Sequence, residues 1–375
     1  MNKSAGRHEG FASIEEIVLE ARNGKMFVLV DNEDRENEGD LIIPAQMATP
    51  DSINFMAKNG RGLVCLSLTS NRIEELGLSA MERRNPGKLD TAFTVSIEAT
   101  KNVTTGISAA DRAKTIQVAI DENSSSKDIR TPGHVFPLQA RDGGVLVRAG
   151  HTEAAVDISR LAGLNPSAVI CEVMKDDGSM ARLNDLFPFC RKHKLKIASI
   201  ADLIRYRVNN DPIVQRKNEN ILHTKETGNW NIFYYVNTAV NNSQEYLALT
   251  KGNVIKKSPV MVRVHVSNLI SDSFDGFIGK KDDGYISLKQ SMLAINEFGV
   301  GLIVIINHKD TEKILYKYMD GRQAWNNEDE IREHGIGAQI IRDQGIKEMI
   351  LLSKTKRTVV GLEGFDLKIV DQKSP

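Results

Sequence analysis

Short apolar runs alternate with amphipathic stretches along this chain, and that rhythm constrains its fold more than any other feature. KMFVLV (25–30), GLVCLSL (62–68), FTVSIEA (93–99), GVLVRAG (144–150), AVICEVM (168–174) and LKIASI (195–200) read as strands. FTVSIEA does so by strict alternation, and KMFVLV as the continuous apolar run of a buried strand. Between them lie helix signals. Ser13 and Glu16 form a capping box before a helix that stops at Gly24. Ser108 with Asp111 opens a helix reaching about Asp121, Thr152 caps one over 152–162, another covers 184–194, and Ser199 caps ADLIRYR. Several strands follow each other by short links, so the spacing predicts a mixed sheet covered by helices, in the α+β or α/β class, rather than a strictly parallel sheet.

After Arg207 the chain turns polar, through VNNDPIVQRKNENILHTKETGNWN, and this shift reads as a domain boundary near residue 210. An α/β rhythm then resumes with PVMVRVHV, a helix near 287–298, GLIVIINH, a helix near 330–345, EMILLS and LKIVD. Two domains, 1–209 and 210–375, are therefore expected, and 375 residues allow each its own core. The 49 basic and 49 acidic residues cancel, so neither nucleic acid nor an anionic membrane is an expected partner. Apolar runs such as GLIVII are too short to span a bilayer, and MNKSAGRHEG lacks the apolar core of a signal peptide. Cys65, Cys171 and Cys190 are scattered in apolar surroundings without a CxxC, which points to a reduced cytoplasmic protein without a cysteine-rich zinc site.

Four constellations could carry chemistry. In DNEDRENEGDL (31–41), six acids (Asp31, Glu33, Asp34, Glu36, Glu38 and Asp40) surround Arg35 directly after an apolar strand. Such crowding is either a solvated loop or a site where cations share the charge, and the apolar LIIPA that follows draws it back toward the core. In RAGHTEA (148–154), Arg148, two small residues, His151 and a helix start suit a phosphate monoester, with His151 free to bind metal or merely structural. TPGHVFPL (131–138) sets His134 in a rigid turn between prolines, as an acid/base group or a bonded loop residue. Glu172 interrupts AVICEVM and is a general acid/base candidate if it faces inward. Few protein ligands suffice for a hydrated Mg²⁺. Together these features suit a phosphorylated sugar undergoing enolisation or carbon–carbon rearrangement.

DNEDRENEGDL, GLVCLSLT, TTGISAADR, RTPGHVFPLQARDGGVLVRAGHTEAAVDISRLAG and CEVMKDDGSMAR together resemble 3,4-dihydroxy-2-butanone-4-phosphate synthase of riboflavin biosynthesis, over roughly residues 10–207. The resemblance implies a three-layer mixed-sheet fold and a homodimer with active sites at the subunit interface. It implies that ribulose 5-phosphate loses its fourth carbon as formate. By motif, Glu36 and His151 would hold a pair of Mg²⁺ (or Mn²⁺) ions, and Arg35, Asp40 and Thr105 would contact substrate. Arg148 and Thr152, with the Ala149–Gly150 backbone, would take the phosphate, and His134 and Glu172 would be essential for turnover. Asp40 or Glu172 would remove the C3 proton. Ala149 stands where the family usually has glycine, which a turn tolerates if φ stays negative. Cys65 reads as a buried structural thiol.

The second half resembles GTP cyclohydrolase II in VMVRVHVSNLISDSF, GVGLIVIINHKD, REHGIGAQIIRDQGI and GLEGFDLKIV, but not at that family's functional positions. Asn268 stands at the first zinc cysteine, Gly279, Lys280, Lys281 and Asp282 near the other two, and Asn307, His308, Lys309, Asp310 and Thr311 at the R-Q-E-G-R signature. No cysteine follows Cys190, and Arg332, which matches a retained arginine, cannot replace a metal. The expectation is a synthase without zinc, fused to an inactive cyclohydrolase-like domain that steadies the dimer, positions a separate cyclohydrolase II or other riboflavin-pathway enzyme, or binds a nucleotide. The alternatives are a bifunctional enzyme with a non-zinc cyclohydrolase site and a non-catalytic regulatory or scaffold protein.

Overall fold

A computed structural model describes residues 10–33, 35–81, 91–238, 245–267, 272, 286–306, 327–354 and 362–375, with backbone only for 327–334. The chain divides into two compact units, Met1–Tyr206 and Arg207–Pro375. The first contains strands β1 (Phe27–Val30), β2 (Gly39–Pro44), β3 (Cys65–Leu68), β4 (Ile97–Ala99), β5 (Ile129–Gln139), β6 (Ala168–Glu172) and β7 (Lys196–Ser199). Its helices are α1 (Ile14–Arg22), α2 (Pro50–Phe55), α3 (Ser70–Glu75), α4 (Ala109–Ile120), α5 (His151–Leu161), α6 (Leu183–His193) and α7 (Ile200–Asn210), the last running across the division. The strands form one mixed sheet in the order β4-β5-β3-β6-β2-β1-β7, with β5/β3 and β1/β7 parallel and the other pairs antiparallel.

Alternation sorts the strand side chains to two faces. Val28, Val30, Leu41, Ile43, Leu66, Val169 and Cys171 join the core beneath α2, α3, α4 and α6. The opposite parity, which includes Leu29, Asp40, Ile42 and Ile170, lies under α5, with α1 packed alongside. Three layers result, as the resemblance implies. Each buried Ile or Leu here contributes about 1.5–3 kcal/mol, while Asp40 and its neighbours sit on the α5 face at a cost that only partners can offset.

Four local expectations are corrected. GVLVRAG is not a strand: Gly143 and Gly144 have φ of 96° and 64°, and residues 144–146 form a 3-10 turn whose Val145 N–H donates to Asp157. Thr152 is not the cap of α5; Gly150 is, and the helix starts one residue before Thr152. His134 lies within β5 rather than in a turn, because the two prolines fall where β5 departs from regular pairing with β4 (register passes from Ile97↔Val135 to Glu98↔Arg130) and where β3 lies parallel. FTVSIEA contributes only Ile97–Ala99 as a strand, with isolated bridges at Phe93 and Thr94.

The second unit has strands β8 (Val214–Thr224), β9 (Gly228–Asn237), β10 (Glu245–Lys251), β11 (Val260–Val266), β12 (Gly301–Ile306), β13 (Glu348–Leu352) and β14 (Lys368–Lys373), in the order β14-β13-β11-β12-β10-β9-β8. Helix α8 (Leu288–Phe298) and helix α9 (Asn327–Asp343) both pack against β11 and β12. Met261, Ile295, Ile303, Ile305 and Trp230 form a core cluster. The polar stretch after Arg207 holds the end of α7, all of β8 and the start of β9; β8 is an edge strand whose residues 215–220 are all exposed and so show no apolar alternation. Among the described residues no helix is long and apolar enough to cross a membrane.

Candidate active site

The acidic run is a tight loop from β1 to β2, and Asp31 is its organiser. One Asp31 oxygen accepts from Glu38 N–H (2.8 Å), the other from Glu36 N–H (3.0 Å) and Arg35 Nη1 (2.8 Å). Arg35 Nη1 also reaches Glu36 Oε2 at 2.6 Å. From outside, Arg182 Nη1 donates to the carbonyls of Glu36 (2.6 Å) and Asn37. The loop therefore presents Glu36 in a fixed place. Burial opposes its ionisation, but the His151 imidazole and the Arg35 guanidinium prevail and hold its carboxyl down to about 2.

His151 opens α5, and its Nδ1 lies 3.7 Å from Glu36 Oε2 and 3.9 Å from Asp40 Oδ1. Asp31, Glu36 and His151 form the one group of three metal-ligating side chains among the described residues. Asp31's oxygens are committed to the loop, which leaves Glu36 and His151 as the available pair. Asp40 Oδ1 and His151 Nε2 are buried without a hydrogen-bond partner. Oxygen and imidazole donors brought together with buried, unsatisfied atoms beside them fit a hard divalent cation. Asp40 stands directly opposite Glu172 across the β2–β6 pair. Burial raises its carboxyl, His151 counters, and the Glu172 and Glu36 charges push it higher. Glu172 is only partly buried, and its Oε2 accepts from Leu63 N–H at 2.8 Å.

At the start of α5, Gly150 caps the helix without a side-chain bond, leaving an open N-terminus. Arg148 is buried and its Nη1 donates to Glu153 Oε2 at 2.7 Å. Gly150 lets this pair close, since a Cβ there would lie 2.3 Å from Arg148 Nη1. Ala149 has no positive φ, so the alanine is tolerated as expected.

The structure does not bring every expected residue to one place. His134 precedes Phe136, which is paired with Cys65, and Cys65 is paired with Ile170 two residues before Glu172. His134 and Glu172 thus lie toward the same end of the sheet, but three strand spacings, about 14 Å, separate the His134 and Asp40 backbones. Thr105 is exposed on a loop that Asp111 ties down through Thr104 and Gly106 N–H groups and the Thr104 hydroxyl. Sequence reasoning missed Glu98, whose Oε2 lies 3.0 Å from His134 Nδ1, and Glu153 and Arg182, which brace Arg148 and the acidic loop. Cys65, Cys171 and Cys190 are free and buried, and burial pushes the Cys171 and Cys190 thiols up to about 12.

In the second unit, a mostly apolar cavity of about 50 Å³ is lined by Arg263, Val264, Ala338, Ile341, Met349, Leu351, Leu352, Ser353, Leu362 and Ile369, with no histidine, cysteine or carboxylate. Asp34, Asn268, Gly279, Lys280, Lys281, Asp282, Asn307, His308, Lys309, Asp310, Thr311 and the Arg332 side chain lie outside the described residues.

A partly buried carboxylate beside a buried imidazole, next to an uncapped helix N-terminus on one face of a helix-covered mixed sheet, marks an α/β protein whose candidate site suits a hard cation and an anion. Residues 15–206 match the family model for 3,4-dihydroxy-2-butanone 4-phosphate synthase, and residues 215–374 that for GTP cyclohydrolase II. The chain is 44% identical to riboflavin biosynthesis protein RibBA of Aquifex aeolicus, over 96% of this chain and 92% of that protein. It is 43% identical to a 3,4-dihydroxy-2-butanone 4-phosphate synthase of Pseudomonas aeruginosa, over 96% and 98%. Among solved structures it is similar to RibBX, a two-domain 3,4-dihydroxy-2-butanone 4-phosphate synthase from A. baumannii, with TM-score 0.67 and 40% identity over 97% of this chain and all of that one. A synthase in complex with two magnesium ions matches at TM-score 0.51 and 38% identity, over 54% of this chain and 99% of that one. The chain belongs to the 3,4-dihydroxy-2-butanone 4-phosphate synthase family of riboflavin biosynthesis enzymes, and carries a GTP cyclohydrolase II-type second domain.

Proposed function

We propose that the first domain, ending near residue 209, converts D-ribulose 5-phosphate to L-3,4-dihydroxy-2-butanone 4-phosphate and formate, and that the second, 210–375, has no GTP cyclohydrolase activity. The meeting of Glu36 and His151, from distant segments, carries the first reading. These two residues would hold Mg²⁺ or Mn²⁺, two ions per site; the structure of one relative is in complex with two magnesium ions. The bound metal supplies Lewis-acid polarisation of the substrate carbonyl and hydroxyls.

The chain's own residues supply the rest. Asp40 is the base for the C3 proton: its Oδ1 is buried and unbonded, whereas Glu172 Oε2 is occupied by the Leu63 amide. Glu172 then orients a substrate hydroxyl beside it. The open α5 terminus, Thr152, the Ala149–Gly150 backbone and Arg148 receive the phosphate, and Arg35 steadies Glu36 next to the sugar. His134 and Thr105 act in proton transfer and substrate contact from the sheet's edge. A homodimer in which one copy's edge meets the partner's metal loop brings them to the reaction despite the spacing within one chain. Three free, buried thiols accord with a reducing cytoplasm.

Purified protein given ribulose 5-phosphate and Mg²⁺ should release formate; no release sinks the synthase reading. Mixing Glu36→Ala chains with His134→Ala chains should recover turnover that neither has alone, and no recovery would refute the shared site. With GTP and Zn²⁺, formate or pyrophosphate formation would overturn the inactive assignment, which rests on the absence of any cysteine after Cys190.

A further inference from the structure

Glu98 belongs to β4, at the edge of the sheet, yet its side chain is only 5% exposed. A carboxylate buried at an edge is costly unless its oxygens are satisfied. Oε2 lies 3.0 Å from His134 Nδ1, and Oε1 lies 3.3 Å from Arg130 Nη2. The Arg130 side chain is 55% exposed, so the histidine is the better-shielded partner.

The backbone on both sides is shaped around this contact. Between Glu98↔Arg130 and Ile97↔Val135, β5 accommodates residues 131–134 while β4 advances by one. That bulge carries His134 to Glu98. It can close because Gly133 has no Cβ: one there would lie 2.1 Å from the Ile97 carbonyl carbon. Gly133 N–H donates to Ser96 Oγ at 3.1 Å, which pins the same segment. On the other side Gly106, with φ +92°, leaves room for the carboxylate; a Cβ would lie 1.7 Å from Oε1. Glu98 therefore touches the loop that carries Thr105 as well as the ring of His134.

We propose that Glu98 is a positioning residue, holding His134 as the Nδ1–H tautomer so that Nε2 is the nitrogen that exchanges protons with substrate. An ionised carboxylate only accepts, so a hydrogen bond at Nδ1 fixes the proton there and turns the ring's other nitrogen into an acceptor. This rests on the proposed use of His134 in turnover, but the tautomer assignment stands independently of it.

The test uses full-length protein with ¹⁵N-labelled histidine, the His134 signals being identified by their loss in His134→Gln. The neutral ring should show a protonated Nδ1 and a bare Nε2, and Glu98→Gln should shift it toward the other tautomer. Glu98→Gln should lose about tenfold or more in kcat with KM within about twofold, and Glu98→Asp should recover part of the loss. A wild-type ring protonated on Nε2 overturns the assignment even if no Glu98 variant folds. So does a folded Glu98→Gln protein with wild-type kcat. Full turnover in His134→Ala would instead sink the use of His134 in the reaction, and the tautomer measurement separates that failure from this one.

Discussion

At the scale of single residues, the site is a set of acids given different tasks by their neighbours. Asp31 builds the loop, Glu36 faces His151, and Asp40 is left buried without a hydrogen bond on one oxygen. Glu36→Ala and His151→Ala should each abolish metal-dependent turnover and weaken Mn²⁺ binding as read by electron paramagnetic resonance; wild-type binding in Glu36→Ala would contradict the ligand assignment. Asp111 makes a separate, structural prediction. Hydrogen bonds from the Thr104 hydroxyl and amide and from Gly106 N–H hold its carboxyl down to about 2, below its ordinary 3.8. Because the folded value is the lower one, the stabilisation is present above pH 4 and is lost as pH falls from there through about 2. Melting curves of wild type and Asp111→Asn should differ at pH 5 and converge toward pH 2. The acid cluster, His151 and Glu172 were legible in the sequence because charge beside apolar strands demands an explanation. Glu98 met the same criterion as Glu172, an acid within a strand, but its alternating neighbours made it look outward-facing. Charge pattern alone does not separate Asp31 from Glu36, which only the family motif singles out; the coordinates add that Asp31 is the carboxylate spent on backbone N–H groups.

At the scale of elements, capping chemistry made several boundaries readable, and irregular backbone made others unreadable. Ser13, Ser108 and Ser199 each accept from an N–H three residues on, as their spacing predicts. GVLVRAG misleads because its apolar residues are buried in a 3-10 turn, and β8 because an exposed edge strand has no apolar face to announce it. The start of α5 couples stability to binding. Arg148→Ala should raise KM through weaker phosphate contact and should also leave the buried Glu153 without its guanidinium, a loss of about 3–5 kcal/mol. A substantial fall in melting temperature together with the higher KM is expected. Arg148→Ala/Glu153→Gln should regain much of the stability but not the KM, and equal recovery of both would count against a phosphate role.

At the scale of the whole molecule, the two-unit division and its α/β character were legible from composition and rhythm, whereas the exact seam was hidden by a helix, α7, that runs across it. Each sheet draws its described strands from one continuous stretch, 27–199 or 214–373. A chain ending after residue 210 should therefore keep a cooperative melt, and formate release from it would locate the synthase in the first unit; an unfolded truncation would contradict the independence of its core. The closure of each sheet on its own segment has a consequence for inheritance. Among the described residues each strand pairs within its own sheet, so substitutions that change chemistry in one unit leave the other's described strand pairing untouched. The proposed loss of the second half's cyclohydrolase reaction would therefore leave that half's described strand pairing in place.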